Sequence, residues 1–320
     1  MTAVLQPDGT AVGDVSPSLI PLELEMVGCA VQDEMHQNID ATIARGYQGI
    51  KPYLGTCAGG AASIVGSAPS IAETHKVLPM LRADVFAINS AIRYLLERKI
   101  VPRWAMIWDA ADICTEFAVP HPDVTYLIAA RCHPRVFERL RGCKVVSWFA
   151  GGDHDIVNYM QRHKIDDPLI NGGSAGVTRA MYLVAALGYR HCNIFGADSS
   201  YSDEGATHVT GSLVREKNLR ISIGNGKGRR EFRTTPEWCS QVNEFRDIYH
   251  LFRHPSLDIS IDVYGDGMLP HMGKIMEAKD KAGKLWNADG TPYLPTEDVK
   301  NAFIGAQLLQ RNAYVQHARK

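Results

Sequence analysis

Ala62-Ser63-Ile64-Val65-Gly66-Ser67-Ala68-Pro69-Ser70 is a short apolar run that passes through a turn of small residues into a stretch of helical period. Apolar side chains that follow one another without alternation suit a strand covered on both faces. Pro69 suits the first position of a following helix, where the missing N–H has no partner to lose. The same pattern recurs down the chain. Apolar runs at residues 62–66, 85–89, 104–109, 124–129, 144–149 and 192–196 each close in small or polar residues. Helical periods follow at residues 70–82, 90–99, 134–141 and 175–187. This alternation predicts an α/β fold, a Rossmann-like, doubly wound, mostly parallel sheet with its ligand outside the carboxyl ends of the strands.

Either side of these units the pattern changes. Residues 1–20 mix Gly, Pro, Ser and Asp without a period and read as a flexible tail. Residues 21–60 read as an N-terminal helical extension, with Met35, Ile39 and Ile43 recurring every four positions until Gly46, and then a Gly-rich connection. Residues 61–270 form the main domain. Within it, residues 205–233 are polar, Gly-rich and basic and read as a loop or hairpin flap. Thr235 and Pro236 then open a helix to about Phe252, and residues 257–264 read as a last strand. Residues 271–320 are a C-terminal helical extension, with a helix from Thr296 towards Ala318 whose Val299, Phe303, Ala306 and Leu309 stripe suits packing or a homo-oligomer contact.

Composition limits the partners. The 320 residues, 45% hydrophobic, suffice for one large core. Lys and Arg number 34 against 35 Asp and Glu, which gives no field to attract nucleic acid or an anionic membrane, so any phosphate must be held locally. The seven cysteines are scattered and never spaced C-x-x-C, which argues against a disulfide framework or a zinc site. Met1–Pro21 lacks a signal-peptide pattern, and no segment reaches 18 uninterrupted apolar residues. A reducing cytoplasm without a membrane partner is the expected setting.

Four segments carry candidate chemistry. The turn at Gly66 and Ser67 exposes backbone amides that suit phosphate oxygens, or is merely tight. It lacks G-x-G-x-x-G, because Ala68 and Ile71 stand where glycines belong, and the second strand ends in Asn89 rather than an acid for a ribose diol. A nicotinamide dehydrogenase is therefore disfavoured. Gly172, Gly173 and Ser174 precede an apolar helix whose N-terminus favours an anion. Asp109 and Asp198, both at strand ends, should face one crevice, as hydroxyl ligands, as magnesium ligands through water, or as loop caps. Tyr201 and His208 lie in a loop beyond Asp198, where a histidine can serve as a general base and a tyrosine can bond a departing phosphate. Lys227, Arg229 and Arg230 form a phosphate-closing flap or a solvated surface. His154, between Asp153 and Asp155, reads as a polar turn.

Taken in order, Val65-Gly66-Ser67-Ala68-Pro69-Ser70, Ala87-Ile88-Asn89-Ser90, Ile107-Trp108-Asp109, Gly172-Gly173-Ser174-Ala175-Gly176 and Gly196-Ala197-Asp198 resemble the 6-hydroxymethylpterin diphosphokinase MptE-like family. Its relatives include motility-associated (Maf) flagellin glycosyltransferases and, more distantly, bacterial sialyltransferases. The resemblance covers about residues 62–267. It departs at Ala68 and Ile71, where the family has glycine and leucine. The resemblance implies a nucleotide-dependent transferase with two reactions open. In glycosyl transfer, Gly66, Ser67, Asn89 and Ser174 hold a CMP-nonulosonate-like donor, Tyr201 supports the leaving phosphate, and His208 or an acid such as Asp198 deprotonates a hydroxyl acceptor, with no metal needed. In diphosphate transfer, Asp109 and Asp198 place magnesium on ATP while a hydroxymethylpterin-like alcohol attacks. The glycosyl reading is preferred, because few acids surround Tyr201 and His208. A third reading is a non-catalytic nucleotide-binding module. On either enzymatic reading, Ser174→Ala weakens nucleotide binding and leaves the fold intact.

Overall fold

The apolar runs become adjacent strands because each is too hydrophobic to leave either face in water. The computed structural model describes residues 4–5, 11–12, 32–151, 154–209, 219–224 and 228–285. Its strands begin with β1 (Gln48–Gly49), β2 (Ala61–Val65), β3 (Asp84–Ile88), β4 (Trp104–Ile107), β5 (Thr125–Ala129), β6 (Lys144–Ala150), β7 (Leu169–Ile170) and β8 (His191–Phe195). Two more, β9 (Leu219–Ile223) and β10 (Arg230–Thr234), pair antiparallel as a separate hairpin inside the expected flap. The last is β11 (Ser260–Val263). All residues of β4 and β5 are buried, as their sequences require.

Nine strands form one sheet in the order β11-β8-β2-β3-β4-β5-β6-β1, with β7 also on β6, and every ladder is parallel. From β2 the chain steps outward through β3, β4, β5 and β6, then returns across β2 to place β8 and β11 on its other side. Right-handed crossovers therefore put the early helices on one face and the later ones on the opposite face. The fold is the α/β Rossmann-like, doubly wound one. The order reverses between β2 and β8, and such a switch point opens a crevice at the strands' carboxyl ends.

The helices are α1 (Gln32–Ala44), α2 (Ile71–Thr74), α3 (Ala91–Glu97), α4 (Pro134–Arg139), α5 (His154–Arg162), α6 (Gly176–Leu187), α7 (Pro236–Arg253) and α8 (Met268–Lys281). The expected Thr235–Pro236 start of α7 is present, Thr235 Oγ accepting from Trp238 N at 3.4 Å. Several local expectations differ. The helix expected over residues 70–82 is one turn of α2 followed by a 3-10 stretch, His75–Met80, that contains Pro79. The polar turn expected at His154 is instead the start of α5, and the Gly-rich connection contains β1, an edge strand on β6. α8 falls mostly within the expected C-terminal helical extension but begins earlier, at Met268; its Pro270 sits in the first turn, where an N–H lacks a helical partner anyway. In the expected tail, Val4–Leu5 pairs antiparallel with Ala11–Val12. The helix expected from Thr296 to Ala318 lies outside the described residues.

Among the described residues, six cysteines are free thiols and no helix is long and apolar enough to cross a membrane. His250 of α7 is 4% exposed. Burial, helped by Arg246, lowers its pKa from 6.5 to about 4. Between these values the unfolded chain takes up a proton that the folded chain refuses, so stability falls as pH is lowered through that window. We expect the free energy of unfolding to drop between pH 6.5 and 4, and His250→Gln to flatten that slope, by as much as about 3 kcal/mol at the acid end. Urea titrations at the two pH values check this; an unchanged slope assigns the acid loss to other groups.

Candidate functional site

A cleft of about 840 Å3, counting its open mouth, lies over the switch point. Gly66, Ser67 and Ala68 after β2 and Asn89 and Ser90 after β3 form one side. The segment Gly196–Ser200 after β8, Thr207 and His208, and the start of α6 from Ala175 to Thr178 form the rest, with Trp238 and Gln241 of α7.

Gly66 and Gly196 set its floor. Gly66 N donates to Phe195 O at 2.9 Å and Ala68 N to Gly196 O at 3.0 Å. A Cβ on Gly66 would stand 2.4 Å from Gly196 O, and one on Gly196 2.3 Å from Gly66 O. Gly66 is therefore required by the neighbouring main chain, and the Ala68 amide is already bonded. Ser67 remains for a ligand: its Oγ accepts from Ser90 Oγ at 2.7 Å, which leaves the Ser67 hydroxyl proton to be donated.

Asn89 has φ +48° and Ser199 φ +50°, a left-handed backbone that few non-glycine residues adopt and that clusters at functional sites. Asn89 Oδ1 is buried without a hydrogen-bond partner. An orphaned acceptor in a cleft is the mark of a missing donor.

Asp198 reaches the cleft, but both its oxygens accept from Ser70, Oδ2 from the Ser70 amide at 2.9 Å and Oδ1 from its hydroxyl. Burial raises its pKa against these bonds, and nearby Asp266 adds to the rise. It ties the turn after β2 to the end of β8. Asp109 does not line the cleft; its Oδ1 accepts from Ala111 N at 3.1 Å, the loop-cap alternative. Magnesium wants several free oxygen ligands. Among the described residues no three His, Cys, Asp or Glu side chains cluster to hold a metal. Asp198 reaches the cleft and Asp109 does not, so the two acids are not brought together there as a magnesium pair.

The helix N-terminus at Ser174 does hold an anion, and the anion is the protein's own. Ser174 N donates to the two Glu244 oxygens at 2.7 and 2.9 Å, Ser174 Oγ donates at 2.9 Å and Thr178 Oγ at 2.6 Å. Neither Ser174 nor Gly172 nor Gly173 lines the cleft. The two glycines, with φ +87° and +83°, fold the chain against α6: a Cβ on Gly172 would meet the Tyr182 ring at 2.4 Å, and one on Gly173 the Arg179 amide at 2.3 Å. The cleft meets α6 at its first turn, from Ala175 to Thr178, where the amides of Gly176, Val177 and Thr178 precede the helix's own i to i−4 bonding.

His208 lines the cleft as expected. The loop closes through Ser202 N to Ala206 O at 3.0 Å, Val209 N donates to Ser67 O at 2.9 Å, and Thr207 Oγ lies 3.1 Å from His208 Nδ1. Tyr201 stands behind the lining, its ring 5.0 Å from that of Trp238, with Arg233 at 5.0 Å from the Tyr201 ring. Of the basic flap, Arg230 pairs with Asp266 at 2.5 Å, Arg229 is exposed and outside the lining, and Lys227 lies outside the described residues. Trp238 and Gln241 were not anticipated. The βα alternation gave no signal for them, since α7 follows the separate antiparallel hairpin rather than a strand of the parallel sheet.

Glu244 thus caps α6 from α7. Glu244→Ala should lower the free energy of unfolding by about 1–3 kcal/mol in urea, for the loss of charge-assisted bonds. Ser174→Ala should act on stability by the same route, by about 1 kcal/mol. A loss of ligand affinity with unchanged stability would return Ser174 to the binding site.

The fold matches that of a Maf glycosyltransferase from Magnetospirillum magneticum AMB-1 with a TM-score of 0.55 and 17% sequence identity, over 80% of this chain. The present chain spans 43% of that protein's length. A mammalian sialyltransferase solved with Gal-beta-1-3GalNAc-ortho-nitrophenol aligns over 74% of this chain and 87% of its own, with a TM-score of 0.32 and 8% identity. No curated protein matches the sequence. A family model matches residues 34–204, more than half of the chain, and on that match the protein belongs to the 6-hydroxymethylpterin diphosphokinase MptE-like family.

Proposed function

We propose that the switch-point cleft binds a nucleotide-activated donor and passes its activated group to an acceptor hydroxyl, as a glycosyltransferase using a CMP-nonulosonate-like sugar. The observation that carries this reading is the pairing of an unsatisfied acceptor, Asn89 Oδ1, with an imidazole, His208, in the lining of one cleft. Asn89 Oδ1 accepts from a ribose hydroxyl or a base amino group. Ser67 and the first-turn amides of α6 donate to the phosphate, which suits an anion at a helix start. His208 takes the proton of the acceptor hydroxyl. The acceptor oxygen then bonds to the anomeric carbon as the bond from that carbon to the phosphate oxygen breaks, and the nucleotide leaves with the electron pair. Fixed donors around that phosphate stabilise its growing charge. Tyr201 enters indirectly, by holding Trp238 against the cleft. The shared fold of the Magnetospirillum glycosyltransferase supports the reading.

The family's name favours a second reading, diphosphate transfer from ATP to a hydroxymethylpterin-like alcohol. That chemistry calls on magnesium, and the bonding of Asp198 to Ser70 weighs against it.

Thermal shift with CMP and with ATP, each with and without magnesium, tests the choice. CMP should stabilise the protein without metal. Asn89→Gly, which keeps the left-handed backbone, should abolish that shift, whereas His208→Gln should keep it and lower sugar transfer about 100-fold or more. Stabilisation by ATP alone, and only with magnesium, would overturn glycosyl transfer in favour of the kinase.

A further inference from the structure

Trp108, just beyond β4, carries two guanidinium groups. Arg131 Cζ lies 4.5 Å and Arg179 Cζ 4.9 Å from its ring centroid. Their hydrogen bonds go to carbonyl oxygens: Arg131 Nε to Trp108 O at 3.1 Å, and the Arg179 terminal nitrogens to Ile170 O at 2.9 Å and Gly151 O at 3.1 Å. Arg179 is 5% exposed, and its Nε is buried with no hydrogen-bond partner. No carboxylate among the described residues forms an ion pair with either arginine. The ring face offsets part of the charge, yet two neighbouring cations, one buried, remain short of an anion. Burial and then Arg131 lower the Arg179 pKa to about 10, partly countered by Glu244.

None of Trp108, Arg131 and Arg179 lines the cleft itself; the charge lies behind its wall. A Cβ placed on Gly176 would lie 3.9 Å from Asn89 Nδ2 and 3.9 Å from Trp108 Nε1, so Trp108 stands beside the wall that Gly176 and Asn89 form. Arg131 also lines a small second hollow of about 10 Å3 together with His36, whose Nε2 is likewise buried and unbonded.

We propose that Arg131 and Arg179, held on the Trp108 ring, form an anion subsite at this end of the cleft, for a carboxylate or a further phosphate on the non-nucleoside half of the substrate. The proposal rests on the reading of the cleft as the nucleotide site. The planar guanidinium fork fits either group with two parallel hydrogen bonds. A sugar acid supplies the carboxylate, and a nucleoside triphosphate supplies the phosphate. Arg179 also holds β6 and β7 through its carbonyl contacts, so Arg131 is the residue to vary.

The primary probe is inorganic pyrophosphate without metal, followed by thermal shift on the wild type, Arg131→Met, Arg131→Lys and Ser67→Ala. Arg131→Met keeps the aliphatic stem on the indole; should it fail to fold, Arg131→Gln replaces it. Stabilisation is expected in the wild type and in Ser67→Ala, reduced in Arg131→Lys and absent in Arg131→Met. No stabilisation of the wild type, or a shift retained in Arg131→Met, overturns the subsite. Calorimetry then identifies the source. An Arg131→Met loss of about tenfold for CMP-N-acetylneuraminate with CMP unchanged indicates a carboxylate, and the same loss for ATP with AMP unchanged indicates phosphate. Equal losses for CMP and its sugar conjugate would move Arg131 to the nucleoside and overturn the proposal. If no nucleotide binds while the pyrophosphate shift still depends on Arg131, the subsite stands and the glycosyl reading fails.

Discussion

The contact between the Gly66 and Gly196 main chains sets the geometry of everything above it. Two neighbouring parallel strands end there and diverge, and neither position has room for a side chain. Their closeness brings the loop after β8 onto the turn after β2, where Asp198 grips Ser70 and Val209 grips Ser67. Those contacts in turn hold His208 at the mouth. A larger residue at either glycine would move the floor and the imidazole together, since the loop that carries His208 is bonded to the turn that follows Gly66.

In and around the cleft the polar groups are of two kinds. Some are spent within the protein: Asp198 on Ser70, Ser174 on Glu244, Arg230 on Asp266. Others are unspent: the buried Asn89 Oδ1 and Arg179 Nε. The unspent set lies just after β3 and on α6, within the segment that matches the family model. His208, Trp238 and Gln241 lie beyond residue 204, where that match ends. The lining thus falls partly inside and partly beyond the matched segment.

The strands were legible because burial on both faces leaves a continuous apolar run, which survives without knowledge of neighbours. The switch point followed from their alternation. Turn glycines were legible as turns, but their cause was not: Gly172 and Gly173 make room for Tyr182 and α6, a packing demand invisible in a local motif. Ser174 failed for a related reason, since its partner Glu244 is 70 residues away and belongs to another helix. A strand-end acid carries no mark of whether its oxygens are free, and Asp109 and Asp198 both proved to be bonded to nearby backbone or hydroxyl groups. Arg131 and Arg179 were passed over because each looks, in sequence, like an ordinary surface arginine. Only the shared indole of Trp108 marks them as a pair.

Glu244 also has a bearing on selectivity. Being covalently attached, its carboxylate faces the Ser174 amide at an effective concentration that a dissolved anion cannot match. The most polarised end of α6 is thereby closed to passing phosphate or chloride. An anion reaches this helix only by entering through the cleft beside Gly176 and Val177, where its neighbours check the rest of its shape. Self-occupancy turns an indiscriminate anion trap into a doorway with a single approach.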